Sequence, residues 1–303
     1  MLRRLIIAVL LLCSFATADL VEDIRTLLAQ NNFPAAESQL HVYQLEHGVT
    51  PEYLEALSWM ARAALASKQL DQAEQYAKKT RSLSTQLLAH EKLDSDPHLS
   101  TAVGAAIEVE AQVLNARGHH AEAVAFLRRN IATYGDTSIK ARLEKNLNLL
   151  SLTGQTAPPL NETHYLGPKP TSLAQLKGSP ILLFFWAHWC VDCKAEGPII
   201  ARLLSEFGPK GLMVVAPTQL YGYAARGEDA TPKDELAYIE HVWQTYYPAL
   251  QGCPVPVSKS NFNLYGASTT PTLVLVNRSG RVSLYHPGAL PYAELRSAIE
   301  KSM

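Results

Sequence analysis

Four cysteines in 303 residues are too few for a chain held together by disulfides. There is one Cys-x-x-Cys and no second to complete a four-ligand structural zinc site. His- and Met-rich tracts are also missing, which leaves copper handling without its usual soft-ligand signature. Charge is almost balanced, with 27 Lys and Arg against 28 Asp and Glu. No basic run or basic–aromatic interleaving occurs, so no nucleic-acid partner is expected. No apolar run is long enough to span a bilayer comfortably. Neither a metal nor a cofactor is therefore expected.

What is present begins at the N-terminus. Arg3 and Arg4 precede an apolar run from Leu5 to Leu12, and Ala16-Thr17-Ala18 forms an A-x-A site before Asp19. This is the layout of a secretory signal cleaved after Ala18, which places the mature chain in the periplasm or another extracytoplasmic space. An uncleaved, membrane-associated anchor is the alternative. Cys13 raises a lipoprotein reading, but Leu12 stands where such signals need a small residue. After cleavage Cys190, Cys193 and Cys253 remain.

From Val21 to Leu152 the chain is rich in Ala, Leu, Gln and Glu with helical periodicity. Asn31-Asn32-Phe33-Pro34-Ala35-Ala36, Lys68-Gln69-Leu70-Asp71-Gln72-Ala73 and Gly118-His119-His120-Ala121-Glu122-Ala123 each place a turn five residues before an Ala. The pattern resembles tetratricopeptide-type helical hairpins. The Ala spacings of 37 and 50 residues, from positions 36, 73 and 123, exceed that family's period of about 34. An irregular helical bundle is the alternative. A Pro- and Gly-rich stretch from Gly154 to Pro170 reads as a linker. The expected organisation is thus a signal at 1–18, a helical domain at 19–153 and an α/β domain at 154–303.

In the C-terminal half, Pro180 to Trp186 reads as a buried strand and Cys190 to Phe207 as a helix. A second strand is expected at Gly211 to Pro217. Thr231 caps a helix that starts at Pro232 and runs to about Tyr246. Strands are expected at Val255 to Ser258, Thr272 to Val276 and Arg281 to Tyr285, with a final helix from Tyr292 to Lys301. The central feature is Phe184-Phe185-Trp186-Ala187-His188-Trp189-Cys190-Val191-Asp192-Cys193-Lys194. A Cys delivered by a strand to a helix N-terminus meets partial positive charge and free N–H groups, which favour its thiolate. A second Cys one turn later is within reach to close a disulfide.

Together with Glu196, Pro198, Tyr265-Gly266, Thr270-Pro271-Thr272 and Asn277-Arg278-Ser279-Gly280-Arg281, this segment resembles the TlpA/ResA-like branch of the thioredoxin fold. The resemblance covers Gln155 to Met303. It implies a thiol–disulfide oxidoreductase with Cys190 as a partly exposed nucleophile and Cys193 as the buried resolving thiol. It further implies Pro271 as a cis-proline opposite the Cys pair. Thr270 and Trp189 would then shape the docking surface for a partner chain. Thioredoxin itself carries a buried Asp where this chain has Phe184. Glu196 is the candidate to take the proton of Cys193, with a surface or helix-stabilising carboxylate as the other reading.

Asp192 in the first helical turn disfavours a nearby thiolate, and neutral His188 does nothing to offset it. A reductant is therefore expected rather than a disulfide donor. Its expected partners are a protein disulfide substrate, a reducing thiol protein and a protein bound at the helical repeats. A copper-handling protein, or an adaptor using a thioredoxin-like platform without catalysis, are the rival readings. Cys253 reads as a small apolar residue or as a thiol for an alternative bridge. Tyr221, Tyr223, Arg226 and Trp243 either line a partner groove or pack the segment inserted between Thr218 and Gln251.

Overall fold

The structure, a computed structural model, describes residues 19–303. The secretory-type segment and Cys13 lie outside the described residues. Among the described residues no helix is long and apolar enough to cross a membrane. The chain divides into two compact units, the first ending at Ala106 and the second running Ile107–Met303.

The first unit contains α1 (Leu20–Ala29), α2 (Phe33–His47), α3 (Pro51–Ala66) and α4 (Leu70–Leu87), and it ends within α5 (Pro97–Ala116). Helix starts follow local chemistry. Asp19 accepts the N–H groups of Val21 and Glu22, and Thr50 accepts that of Tyr53, with Pro51 at the first helical position. Ile24, Leu40, Leu54, Leu57 and Met60 are buried between the helices. Ala36, Ala56, Ala61, Ala64, Ala73 and Ala77 are completely buried with them, so the helices approach closely at these positions.

The three turns singled out in the sequence share one backbone device. Asn31, Lys68 and Gly118 have φ of 59°, 59° and 85°. In each, the next residue's N–H reaches back five positions: Asn32 to Leu27, Gln69 to Ala64 and His119 to Leu114, all at 2.9 Å. This is the 6→1 bond of a helix C-cap with one left-handed residue. Only the third turn uses glycine. The first two accept a left-handed non-glycine residue, which costs roughly 1–2 kcal/mol. Each turn is followed by a completely buried Ala, at 36, 73 and 123.

The second unit continues with α6 (His120–Tyr134) and α7 (Lys140–Ser151), then β1 (Tyr165–Leu166), β2 (Ile181–Phe185), α8 (Val191–Phe207), β3 (Met213–Val215) and α9 (Pro232–Tyr246). It closes with β4 (Val255–Pro256), α10 (Lys259–Tyr265), β5 (Thr272–Val276), β6 (Val282–Pro287) and α11 (Tyr292–Ser302). The four-stranded sheet has the order β3-β2-β5-β6. β2 pairs parallel to β3 and antiparallel to β5, and β5 pairs antiparallel to β6. β1 and β4 form a separate antiparallel pair. β4 falls within the strand expected at Val255 to Ser258, whereas β1 and α10 had too little periodicity to be read from sequence.

Both central strands are buried at every residue, which explains their unbroken apolar runs. Their alternate residues serve two cores. Leu182, Phe184, Leu273 and Leu275 pack with Ile200, Leu203, Ile239, Val242, Leu295 and Ile299 from the helices on one face. Ile181, Leu183, Phe185, Val274 and Val276 pack on the other with Phe262 and Tyr265 of α10 and with Leu152. Leu152 is the C-cap of α7, so the last helix before the linker belongs to the sheet's second core. Asn148 of α7 also donates to the Leu264 carbonyl at 3.4 Å.

The approach between α7 and α10 depends on Gly266, the left-handed C-cap of α10 (φ 61°). A Cβ at this position would stand 2.1 Å from the backbone nitrogen of Lys145. Gly266→Ala should therefore lower unfolding free energy by more than about 2 kcal/mol, because strained φ and overpacking add. Urea denaturation measures it; an unchanged midpoint would show that α7 does not need this close approach.

Candidate functional site

β2 ends at Phe185, and the chain turns at once. The Cys190 N–H donates to the Ala187 carbonyl at 3.1 Å, closing a turn with His188 and Trp189 at its centre. The turn sends these two side chains opposite ways. His188 is 1% exposed and Trp189 is 47% exposed. The strand exit is held by Trp186, whose N–H donates to the Pro217 carbonyl at 3.1 Å. Its carbonyl accepts the Thr218 hydroxyl at 2.9 Å.

Cys190 is the N-cap of α8 and is disulfide-bonded to Cys193. Its Sγ also accepts the Cys193 N–H at 3.0 Å. The helix-terminal amide that would stabilise a thiolate is thus already aimed at the sulfur. Cys193 is completely buried and Cys190 is 3% exposed. The expected partial exposure of Cys190 is a correction. In the bonded state its sulfur is joined to Cys193, and both cysteines belong to the buried cluster that also holds Trp186, Ala187 and Leu290. The exposed apolar groups here are instead Trp189, just before the pair, and Val191, between the two cysteines.

The Thr270–Pro271 peptide bond is cis. Phe185 at the end of β2 faces Thr272 at the start of β5, so the Thr270–Pro271 segment lies beside the strand exit that leads to the disulfide. The Pro271 carbonyl is taken by the Gly288 N–H at 2.7 Å. The Thr270 hydroxyl has no intramolecular partner although it is shielded from solvent.

Glu196 lies one turn beyond Cys193 on the same face of α8. It is 1% exposed, and its Oε1 has no hydrogen-bond partner. The surface-carboxylate reading is thereby excluded. Burial pushes its carboxyl up to about 7, partly opposed by the backbone at Leu290. Phe184, in the place where thioredoxin has its Asp, sits in an aromatic cluster. Its ring lies 5.9 Å from that of Tyr247, which stacks on Trp243 at 4.9 Å. Gly197 permits this arrangement, since a Cβ there would meet the Tyr247 ring at 2.7 Å.

Behind the turn stands a residue that sequence reasoning missed. Glu235 of α9 is 1% exposed, accepts the Tyr221 and Gly222 N–H groups at 2.5 and 2.8 Å, and lies 3.3 Å from His188 Nε2. That last contact is a close approach in which Nε2 makes no aligned hydrogen bond. Burial lowers the His188 pKa and Glu235 opposes this, so the ring stays neutral at pH 7. In the sequence Glu235 passes for an ordinary first-turn acid after Thr231, Pro232 and Asp234, favoured by the helix dipole.

Trp243 packs the inserted segment, as the blander reading had it: it is 2% exposed and contacts Trp186 at 5.1 Å. Cys253 is buried and unbonded, with its thiol pushed up to about 11 by burial, which makes it a packing residue. His119 and His120 lie at the start of α6, in the turn. No cluster of three metal-binding side chains occurs among the described residues.

A family model described as the AhpC/TSA family matches residues 153–218. The chain is 28% identical over 148 residues to the thioredoxin-like protein YneN of Bacillus subtilis, covering 48% of this chain and 78% of that one. It is 30% identical over 120 residues to the thiol-disulfide oxidoreductase ResA of Oceanobacillus iheyensis, covering 39% and 54%. It is 29% identical over 144 residues to the thiol:disulfide interchange protein DsbE of Xylella fastidiosa, covering 46% and 64%. The chain thus spans little more than half of the ResA and under two thirds of the DsbE relative. Among solved structures it is similar to a thiol:disulfide interchange protein DsbE from Chlorobium tepidum, at 26% identity and a TM-score of 0.37 over 50% of this chain and 96% of that one. A helical N-terminal region precedes a thioredoxin-fold domain that is similar to thiol–disulfide oxidoreductases and holds a disulfide between Cys190 and Cys193.

Glu196 gives a signed test. Its carboxyl is raised in the fold from 4.5 to about 7, so the folded state holds a proton that the unfolded state has released between those values. Stability should fall as pH rises from 4.5 to 7 and then stay level. At 1.36 kcal/mol per unit the loss is as much as roughly 3 kcal/mol. Glu196→Gln should flatten this slope and be the more stable protein above pH 7. Equal slopes for both proteins in thermal melts across pH 4–8 would remove Glu196 from the proton inventory.

Proposed function

We propose that the protein is an exported thiol–disulfide oxidoreductase that reduces protein disulfides, with a helical domain at 19–153 recruiting a partner to a redox domain at 154–303. The observation that carries this reading is the Cys190–Cys193 disulfide at the N-terminus of α8. The cis-Pro271 segment beside the strand exit supports it as a dock for an extended partner chain. Export rests on the N-terminal signal pattern. The helical hairpins with their three like turns support a repeat surface for a protein partner.

In the reduced enzyme the Cys190 thiolate attacks one sulfur of the substrate disulfide. The substrate S–S bond breaks, a mixed disulfide forms, and the departing sulfur takes a proton. Cys193 then loses its proton to Glu196 and attacks Cys190 Sγ. The mixed disulfide breaks, the second substrate thiol leaves, and the Cys190–Cys193 bond closes. Two electrons have passed from the protein to the substrate. A second dithiol protein returns them by the same exchange run in reverse. A carboxylate whose proton affinity is close to neutral is suited to shuttle the Cys193 proton at pH 7. Trp189 and Thr270 would contact the bound chain.

Cys193→Ser should accumulate a mixed disulfide with a disulfide-bonded substrate, visible as a dithiothreitol-sensitive adduct in non-reducing electrophoresis. Cys190→Ser should form none and lose activity by at least 1000-fold. If adducts form equally on both variants, or on neither, the order of attack is wrong and the platform reading gains.

A further inference from the structure

Resting on the oxidoreductase reading, we infer that His188 and Glu235 are positioning residues that latch the inserted segment 218–246 onto the active-site turn, fixing a Trp189–Tyr221 wall that selects extended peptide disulfides flanked by apolar side chains.

Four observations carry this. The Glu235 carboxylate is buried and spans three partners: its two oxygens take consecutive N–H groups at Tyr221 and Gly222, and Oε1 stands 3.3 Å from His188 Nε2. It therefore hydrogen-bonds the inserted loop to α9 and abuts the turn before Cys190 at His188. The His188 ring is enclosed by three tyrosine edges, Tyr221 at 5.6 Å and Tyr223 at 5.3 Å from the loop and Tyr238 at 5.4 Å from α9. Tyr221 continues outward to Trp189, edge to face at 5.6 Å. Trp189, Val191 and Leu220 present their apolar surface to solvent at 47%, 76% and 36% exposure.

Burying an imidazole and a carboxylate together is costly unless the polar atoms are engaged. The Glu235 oxygens are, by two backbone amides. A purely packing role for residue 188 would be met by any apolar ring without a carboxylate behind it. The arrangement instead makes the placement of Tyr221, and through it Trp189, depend on a single carboxylate. A small disulfide reaching the sulfur pair needs no such wall. An extended chain lying between it and the Thr270–Pro271 segment does.

The test compares wild type with Glu235→Gln and His188→Phe. In the first variant an amide nitrogen must face a backbone N–H. In the second the ring volume is kept and Nε2 is lost. Steady-state reduction is followed with dithiothreitol as electron source, on a Leu-flanked disulfide peptide and on dithiobis(nitrobenzoate). The expected result for Glu235→Gln is a peptide KM raised about tenfold with kcat within twofold, so that preference for peptide over small disulfide falls about tenfold. His188→Phe should shift the preference the same way, about threefold. An unchanged preference in both variants, or an equal loss on both substrates, overturns the latch. A wild type that reduces neither disulfide overturns the oxidoreductase reading and the latch with it.

Discussion

Cys190 does two things at one point of the backbone, and the site is arranged around that coincidence. Its Sγ caps α8 by accepting the Cys193 N–H, and the same sulfur is bonded to Cys193. When the bond opens, the amide already faces the Cys190 sulfur, where it would stabilise a thiolate. A charge-assisted bond of this kind is stronger than a neutral one, so the reduced state inherits its stabilisation without rearrangement. The helix must then begin at residue 191. That start is set by the Ala187–Cys190 turn, by the depth at which β2 ends, and by the two bonds that clamp Trp186 to Pro217 and Thr218.

Around this point the charges are sorted by burial. Asp192 is exposed, and an exposed unit charge a few ångströms away is worth about 1 kcal/mol in water, less than one pKa unit. His188 would matter more if it were protonated, but burial holds it neutral. A thiolate at Cys190 therefore has the helix terminus in its favour and a neutral imidazole next to it in sequence. Glu196 is the opposite case, a buried acid whose proton affinity has risen to the range in which a thiol proton can be passed on. Under the proposed function Glu196 would serve as base to the resolving thiol.

Much of this was legible in the sequence, for definite physical reasons. Unbroken apolar runs marked β2 and β5, because strands buried on both faces leave no alternation to find. Thr231-Pro232 fixed the start of α9, and the Cys pair located the start of α8. The helical turns were visible as an offset of five residues before Ala. Their shared left-handed conformation was not, since Asn31 and Lys68 carry no glycine. Two-residue β1 has no period to detect. Glu235 was hidden by its position, where a first-turn acid has a ready local explanation. The depth of Cys190 and Glu196 was invisible because both depend on which way a turn and a helix face.

The central claim is that the pair at Cys190 and Cys193 is a reducing couple whose thiolate is stabilised by the helix terminus. The direct measurement is its reduction potential, read by equilibrating the mature chain with a graded dithiothreitol or glutathione buffer and counting free thiols, with Cys253→Ser as the control. The account predicts a reversible two-electron transition near that of thioredoxin, about −270 mV. A transition near about −120 mV, the value of a strong disulfide donor, would contradict it.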